Sequence, residues 1–273
     1  MPYWVGPRPM TTKLDAILGD YEIYVLTESE NLPHFKIVPF GKKARPIEVT
    51  DPQNGVFVDL LNQLDGLSYG NKDLAMPKWV GLDCAALPSA IVGLAKNLGE
   101  CPSDLTKKFD IATGYTSLIP ISEYCAIPSP GGVWIGHTCA SLIKGAGLGL
   151  LTKLLALKVY QAHHLKGVAQ YENDSVRLHT RIAALRLVSA ITPAHNDQWN
   201  TFIYHHPVDQ EGIESIFGSS QEMQDPTLLL DPTDLEQKIA LQQHIKQGKE
   251  VSIVYPGHIF DEHHKLFVPV VIA

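Results

Sequence analysis

The sequence has no long hydrophobic run, and it has few basic residues. None of its 273 residues belongs to an apolar stretch approaching about 18 positions, which excludes a transmembrane helix. The start, Met1-Pro2-Tyr3-Trp4, lacks the basic region and apolar stretch of a secretory signal. Lys and Arg total 22 against 29 Asp and Glu, for a net charge of −7, which disfavours a general nucleic-acid partner. We therefore expect a cytoplasmic protein with neither a membrane nor a nucleic-acid partner.

Cysteines and metal-binding motifs are also scarce. The four cysteines are scattered without a CxxC pair, which predicts reduced thiols rather than a disulfide framework or a zinc-thiolate site. Histidines and acidic residues cluster at 258–264, but no HExxH spacing occurs, so we interpret this segment as a solvated loop and expect no metal. No Gly-Lys-Ser/Thr follows the glycine-rich segment described below, which excludes a P-loop.

The sequence has enough apolar residues to form a large core. Apolar residues make up 45% of the chain and charged residues 19%, a composition typical of a folded globular protein. The segments predict an α/β fold with a mixed central sheet flanked by helices. We expect an N-terminal arm and strands over 1–45, a core over 46–207, and a C-terminal extension over 208–273. The extension would pack on the core, where it could shape a substrate cleft or support a homodimer.

Periodicity places the individual elements. Strands are predicted near 21–26, 35–40, 79–84, 132–140, 168–171, 187–191, 201–205, 250–255 and 266–272, and helices over 53–65, 150–163 and 175–185. The apolar run 90–95 suits either a strand or a short buried helix. In the tail, Thr233-Asp234-Leu235-Glu236 reads as a capping box, and Gly248 stands where a C′ glycine ends a helix.

A glycine-rich loop, Lys144-Gly145-Ala146-Gly147-Leu148-Gly149, separates a predicted strand from a predicted helix. Without Cβ atoms its backbone can turn sharply and approach a ligand closely. The first turn of the helix adds unpaired N–H groups and the positive end of the helix dipole, which suits a diphosphate. Two alternatives stay open: a tight turn that binds nothing, and a dinucleotide site with Glu172 ending the next strand, although the third glycine falls one position early.

Together with a second motif, this loop resembles the GNAT superfamily of N-acetyltransferases. The family's acyl-CoA loop runs Arg/Gln-x-x-Gly-x-Gly/Ala, and here Lys144 takes the first place. The second motif is similar over Ser175 to His179, with the departures that Asn173 stands two residues before the serine and Ala183-Ala184 replace Gly-Phe. The resemblance covers about 50 of the 273 residues. It implies an acyl-CoA N-acyltransferase acting on a small-molecule or peptide amine, with acetyl-CoA or another acyl-CoA as co-substrate. A GNAT-like protein that holds acyl-CoA without turnover is the alternative.

The resemblance also implies roles for individual residues. The acyl-CoA contacts are expected from Cys139, Ala140, Ser141, Lys144, Gly145, Ala146, Gly147, Leu148, Gly149, Asn173 and Ser175, with a backbone N–H of 139–141 facing the thioester oxygen. Lys144, Lys153, Arg177 and Arg181 are placed near the phosphates, although Lys153 also suits a solvated helix position. His179 is the first candidate to protonate the leaving thiolate and Tyr171 the second. Glu123 is the candidate general base, with His137 as its alternative.

Overall fold

The computed structural model describes residues 14–70, 75–193, 199–217 and 221–273. These residues form two compact units, an N-terminal unit ending at Ala162 and a C-terminal unit running from His163 to Ala273. The first 13 residues of the arm and strands expected over 1–45 lie outside the described residues. None of the helices in the described ranges is both long and apolar enough to cross a membrane.

The N-terminal unit carries a five-stranded sheet with helices packed on it. Its strands are β1 (Glu22–Thr27), β2 (Arg45–Glu48), β3 (Ala90–Asn97), β4 (Leu118–Ser129) and β5 (Val133–Ser141). Its helices are α1 (Leu14–Gly19), α2 (Gly55–Tyr69), α3 (Lys78–Ala86), α4 (Ser103–Thr106) and α5 (Leu148–Tyr160). The strand order is β2–β1–β3–β4–β5, with β1 and β2 parallel and the other neighbours antiparallel.

The two faces of this sheet hold different helices. Thr138 on β5 donates a hydrogen bond from Oγ1 to Asp65 Oδ1 on α2, at 3.1 Å. On the other face the hydroxyls of Ser122 on β4 and Thr152 on α5 lie 2.6 Å apart. Because successive residues of a strand point to opposite faces, Glu123 faces α2 while its neighbour Ser122 faces α5.

The C-terminal unit carries an antiparallel sheet in the order β6–β8–β7–β10–β12–β11, with β9 also paired to β12. Its strands are β6 (His164–Gln170), β7 (Leu185–Thr192), β8 (Thr201–Pro207), β9 (Leu228–Leu230), β10 (Val251–Ile253), β11 (Ile259–Phe260) and β12 (Leu266–Ile272). Its helices are α6 (Ser175–Thr180), α7 (Ile213–Ile216) and α8 (Leu235–Lys246). The apolar core of this unit includes Tyr171, Leu185, Phe202 and Val268.

The predicted α/β fold, with a mixed sheet flanked by helices, is confirmed. Most predicted strands and helices are present with shifted ends, and the ambiguous run 90–95 is a strand. The helix predicted over 175–185 is shorter, because α6 ends at Thr180. Gly248 takes the expected left-handed conformation, with φ +83, immediately after Gln247, the C-cap of α8.

Three local predictions are wrong. The segment 79–84 is helical rather than extended: it belongs to α3, which begins directly after its N-cap residue Pro77. Residues 35–40 form no strand and end in a 3-10 turn at Pro39. The N-cap of α8 is Asp234 rather than Thr233, since the Asp234 carboxylate accepts the Gln237 amide. A short apolar run does not distinguish a strand from a helix, and two adjacent residues that can both cap a helix do not show which one is the N-cap.

Candidate functional site

The glycine loop leaves β5 at Ser141 and enters α5 at Leu148. Gly145 and Gly147 both have left-handed backbone angles, with φ +79 and +76, which side chains with a Cβ rarely adopt. Gly147 is the N-cap of α5, and its carbonyl accepts the amide of Leu151 at 3.0 Å. Gly149 lies inside the first turn of the helix. Two of the three glycines are therefore required by the backbone of the turn.

The start of α5 presents donors in an exposed loop. Lys144, Gly145 and Ala146 are exposed, whereas the Leu148 side chain is buried. The amides that precede the first intrahelical bond have no partner within a helix, and the helix dipole adds positive potential there. With the Lys144 ammonium nearby in sequence, this end of α5 can hold an anion such as a diphosphate.

Strand β5 leads into the loop through Cys139, Ala140 and Ser141. The Cys139 carbonyl accepts a hydrogen bond from the Tyr69 hydroxyl of α2, and the Cys139 thiol lies 3.7 Å from the Gly149 carbonyl. Burial of the sulfur raises the pKa of Cys139 to about 11, despite a lowering effect of Lys153. The thiol therefore stays protonated near neutral pH and is a poor nucleophile.

Glu123 is a buried acid on β4, directly opposite Ala140 of β5 in the strand register. Its side chain is 2% exposed, and its Oε1 has no hydrogen-bond partner among the described residues. Burial, followed by the nearby charge of Asp65, raises the pKa of Glu123 well above the ordinary carboxyl range. A carboxyl with this raised pKa can accept a proton from a substrate group more readily than an ordinary glutamate.

Asp65 on α2 is the second acid of this region. Its carboxylate accepts hydrogen bonds from the Met76 amide and from the Thr138 hydroxyl. Burial raises its pKa, while these two hydrogen bonds act in the opposite direction. Asp65 and Glu123 line one cavity of the N-terminal unit. The sequence pattern of α2 gave no functional signal for Asp65, because a single aspartate on a helix usually faces solvent.

Lys153 is also placed differently from the expectation. The sequence suggested a phosphate contact or a solvated position, but the side chain is 0% exposed on α5. Its Nζ lies 5.7 Å from the centre of the Tyr124 ring. Burial lowers the pKa of Lys153 to about 7, with a smaller opposing effect from Cys139. The solvated interpretation is therefore wrong. His137, the alternative base, is exposed on β5.

The remaining predicted residues lie in the C-terminal unit. Asn173 and Ser175 build the turn between β6 and α6, where the Asn173 side chain accepts the Ser175 amide at 3.0 Å. His179 is buried on α6, with its ring centre 5.1 Å from that of Tyr204. The Tyr171 hydroxyl is fully buried and donates to the Ala190 carbonyl at 2.8 Å. That bond supports a structural role for Tyr171.

The interpretation of 258–264 as a solvated loop is wrong for its first residues, since Ile259–Phe260 form strand β11. His258 is buried, and its Nε2 lies 2.8 Å from the Tyr171 carbonyl oxygen. His263 is exposed in a turn in which Asp261 accepts the amides of His263 and Lys265. Within the described residues, no three His, Cys, Asp or Glu side chains are grouped so as to hold a metal ion.

Comparison with known proteins gives structural matches alone. No protein-family profile matches the sequence, and no curated protein does. Among solved structures, the chain is similar to a NatC complex bound to Gag peptide and CoA, at 13% identity and a TM-score of 0.39, over 58% of this chain and 95% of that one.

Two further matches come from bacteria. The ribosomal-protein-S18-alanine N-acetyltransferase of Escherichia coli is 9% identical, with a TM-score of 0.36, over 56% of this chain and 88% of its own. An acetyltransferase assigned to the GNAT family, from Desulfovibrio desulfuricans, is 14% identical, with a TM-score of 0.37. The match covers 58% of this chain and 94% of that one.

Proposed function

We propose that this chain transfers an acyl group from acyl-CoA to the nitrogen of an amine. The observation that carries the proposal is Glu123, a buried carboxyl with a raised pKa and an oxygen that has no hydrogen-bond partner in the described ranges. It lies on the strand next to β5, and β5 leads directly into the glycine loop. A proton acceptor beside an anion-binding turn suits the attack of an amine on a phosphate-bearing acyl donor.

The residues of the turn fit the diphosphate of CoA. Gly145 and Gly147 keep the backbone free of Cβ atoms at positive φ, and a Cβ at Gly145 would project into open space. The amides at the start of α5 and the Lys144 ammonium would hold the diphosphate oxygens. In the C-terminal unit, the Asn173–Ser175 turn remains our candidate for a further contact. When bound, acyl-CoA supplies a thioester carbon that is open to attack by nitrogen.

Two proton transfers in this reaction need side chains of the protein. The substrate amine enters as an ammonium, because the pKa of a free amine is about 10. Glu123, as a carboxylate, takes one proton and leaves a nucleophilic lone pair on nitrogen. The N–C bond then forms, the C–S bond breaks, and nitrogen releases a second proton as the amide is completed. The sulfur gains one proton, for which His179 is the proposed donor, and a net proton leaves with the products.

Charge that develops on the carbonyl oxygen needs a hydrogen-bond donor during this step. We assign that role to a backbone N–H of residues 139–141, which end the strand beside Glu123. Loss of one such donor typically costs about 100-fold to 1,000-fold in turnover. Cys139 has no covalent role in this scheme, since burial of its thiol raises its pKa to about 11.

Thermal unfolding with added ligands tests the donor. We expect CoA and acetyl-CoA to raise the unfolding midpoint, because a ligand at 100 times its dissociation constant adds about 2.7 kcal/mol of stability. NAD and ATP at the same concentration should leave it unchanged. A shift with NAD and none with CoA would replace this proposal with the dinucleotide alternative.

A matched pair of glycine variants tests whether the CoA-dependent rise of the unfolding midpoint depends on the glycine loop. Gly147→Glu puts a negative side chain at the start of α5 and should abolish the CoA shift. Gly114→Glu is the control, because Gly114 also has positive φ, at +83, and its Cβ position is open. Both variants carry the same backbone strain and charge. Equal CoA shifts in the two variants would contradict the assignment of the loop.

A further inference from the structure

A cavity in the N-terminal unit lies among α2, α3 and the strands of the sheet. About 350 Å³ of space there is not filled by protein atoms, a volume that includes space open to solvent. Most of its wall is apolar, and this apolar lining includes Leu26, Val58, Leu61, Met76, Leu82 and Ile91. Neither the glycine loop nor any predicted cofactor contact lines it.

The charged side chains that line the cavity include more acids than bases. Asp65 and Glu123 both line it, and no ion pair joins either carboxyl to a cation within the described part of the chain. Lys78 lines it too, but the Lys78 ammonium pairs with Asp59 on α2, and both of these side chains are about half exposed. The inner carboxyls therefore lack a compensating charge from the lysine of the cavity wall.

Glu123 has unused hydrogen-bonding capacity in this cavity. Its Oε1 is buried and has no partner among the described residues, and a buried acceptor without a partner is unfavourable. A donor that enters the cavity would recover this cost, and a cationic donor would also relieve the repulsion between Glu123 and Asp65. A primary ammonium supplies both the charge and the N–H donors.

The apolar wall limits what the rest of that ligand can be. A second ammonium, a sugar hydroxyl or a carboxylate placed against leucine, valine and isoleucine side chains would lose its hydration without gaining a partner. A carboxylate would in addition be repelled by Asp65 and Glu123. An alkyl or aryl group, by contrast, gains from burial there.

We infer that this cavity is the acceptor site, and that it takes primary amines with one cationic nitrogen and an apolar alkyl or aryl substituent. The inference rests on the proposed function and narrows its acceptor class. The nitrogen lies at Glu123 and Asp65, and the substituent lies against the apolar residues of β1, β3, α2 and α3. Polyamines, amino sugars and free amino acids are poor acceptors.

Binding of amines in the absence of CoA tests this inference by calorimetry. Hexylamine and phenethylamine should bind with affinities at least about tenfold higher than hexanol, putrescine or glucosamine. Hexanol controls for the apolar chain without the charge, and putrescine for the charge without an apolar end. Equal affinities across the panel would overturn the inference.

A helix glycine offers a variant that fills the cavity. Gly81 lines the cavity from α3, and a Cβ there would lie 3.6 Å from Met76 Cε, an ordinary contact. Gly81→Leu should weaken hexylamine binding by about tenfold or more, without loss of the fold, since leucine favours a helix over glycine. Gly66→Leu is the matched control, because Gly66 lies in α2 with open space around its Cβ position. Equal effects of the two variants on hexylamine binding would show that the cavity is not the amine site.

Acetylation of the same amine panel separates this inference from the proposed function. If CoA stabilises the protein but glucosamine or putrescine is acetylated in preference to hexylamine, the acyltransferase proposal stands and the acceptor class is wrong. If hexylamine binds as expected while CoA neither binds nor is consumed, the amine site stands and the acyltransferase proposal fails.

Discussion

Glu123 on β4 and Asp65 on α2 line the same cavity, and the charge of Asp65 contributes to the raised pKa of Glu123. Two carboxyls that share a partly apolar space cannot both ionise easily. Ionisation of one carboxyl therefore disfavours ionisation of the other. This coupling between the two acids connects the proposed chemistry to measurable pH behaviour.

Replacing Glu123 with glutamine tests its role as base. Glu123→Gln keeps the shape of the protonated side chain but cannot accept a proton from an ammonium. We expect kcat/KM for amine acetylation to fall by about 100-fold to 10,000-fold, with the CoA-dependent rise of the unfolding midpoint unchanged. Glu100→Gln, at an exposed glutamate, is the control. Full activity of the Glu123 variant would remove it from the mechanism.

Asp65 offers a test of the coupling between the two acids. The base must be ionised, so kcat/KM should rise with pH through the raised pKa of Glu123. Asp65→Asn removes a charge that raises this pKa, and should therefore move the rising limb to lower pH. The asparagine oxygen can still accept the Thr138 hydroxyl. The measurement is kcat/KM against pH for two amines of different pKa, with wild type and the Asp65 variant. A rising limb whose position changes with the pKa of the amine and not with the Asp65 substitution would contradict the coupling.

Lys153 should impose a pH dependence on stability. Burial lowers its pKa in the folded chain to about 7, whereas an unfolded lysine titrates near 10.4. Between these values the unfolded chain binds more protons at this residue, so its contribution to stability rises with pH. Lys153→Met should gain most over wild type at and below pH 7 and lose that gain towards pH 10. The slope for one proton is at most about 1.4 kcal/mol per pH unit.

Denaturant unfolding across this pH range measures the difference between the variant and wild type. Lys166→Met, at an exposed lysine of β6, controls for removing one positive charge from the chain. A constant difference for Lys153→Met from pH 7 to 10 would mean that this ammonium stays charged in the folded protein.

Tyr171→Phe separates the two candidates for protonating the thiolate. The Tyr171 hydroxyl donates to the Ala190 carbonyl inside the C-terminal core, so its loss leaves a buried acceptor unpaired. We expect a destabilisation of about 1–3 kcal/mol with little change in turnover at a temperature at which the variant is folded. His179→Gln should instead lower kcat and spare CoA binding. The opposite pattern would exchange the two roles.

The sequence was most informative where chemistry requires a particular backbone. The positive φ angles of Gly145 and Gly147 follow from the strand–loop–helix pattern around them, and the C′ role of Gly248 from its place after a capped helix. Glu123 was proposed as base from its residue type and its position before the central strand. The structure adds its burial and an oxygen without a hydrogen-bond partner in the part of the chain that the structure describes.

Other features depend on contacts between distant segments and had no local signal. Asp65 meets Met76 and Thr138 only because α2 packs against the face of β4 and β5. Lys153 resembles any helix lysine until the packing of α5 buries it against Tyr124. The segment 79–84 has strand-like composition, yet the tertiary environment makes it α3, as happens when packing overrides local propensity.

The transfer itself is the most direct test of the account. The protein is incubated with acetyl-CoA and hexylamine, and the amine is analysed by mass spectrometry beside the Glu123→Gln variant. We predict a product heavier than hexylamine by one acetyl group in place of hydrogen, formed together with free CoA thiol, and strongly reduced with the variant. Absence of that product over the whole amine panel, with acetyl-CoA intact, would contradict an acyltransferase function for this chain.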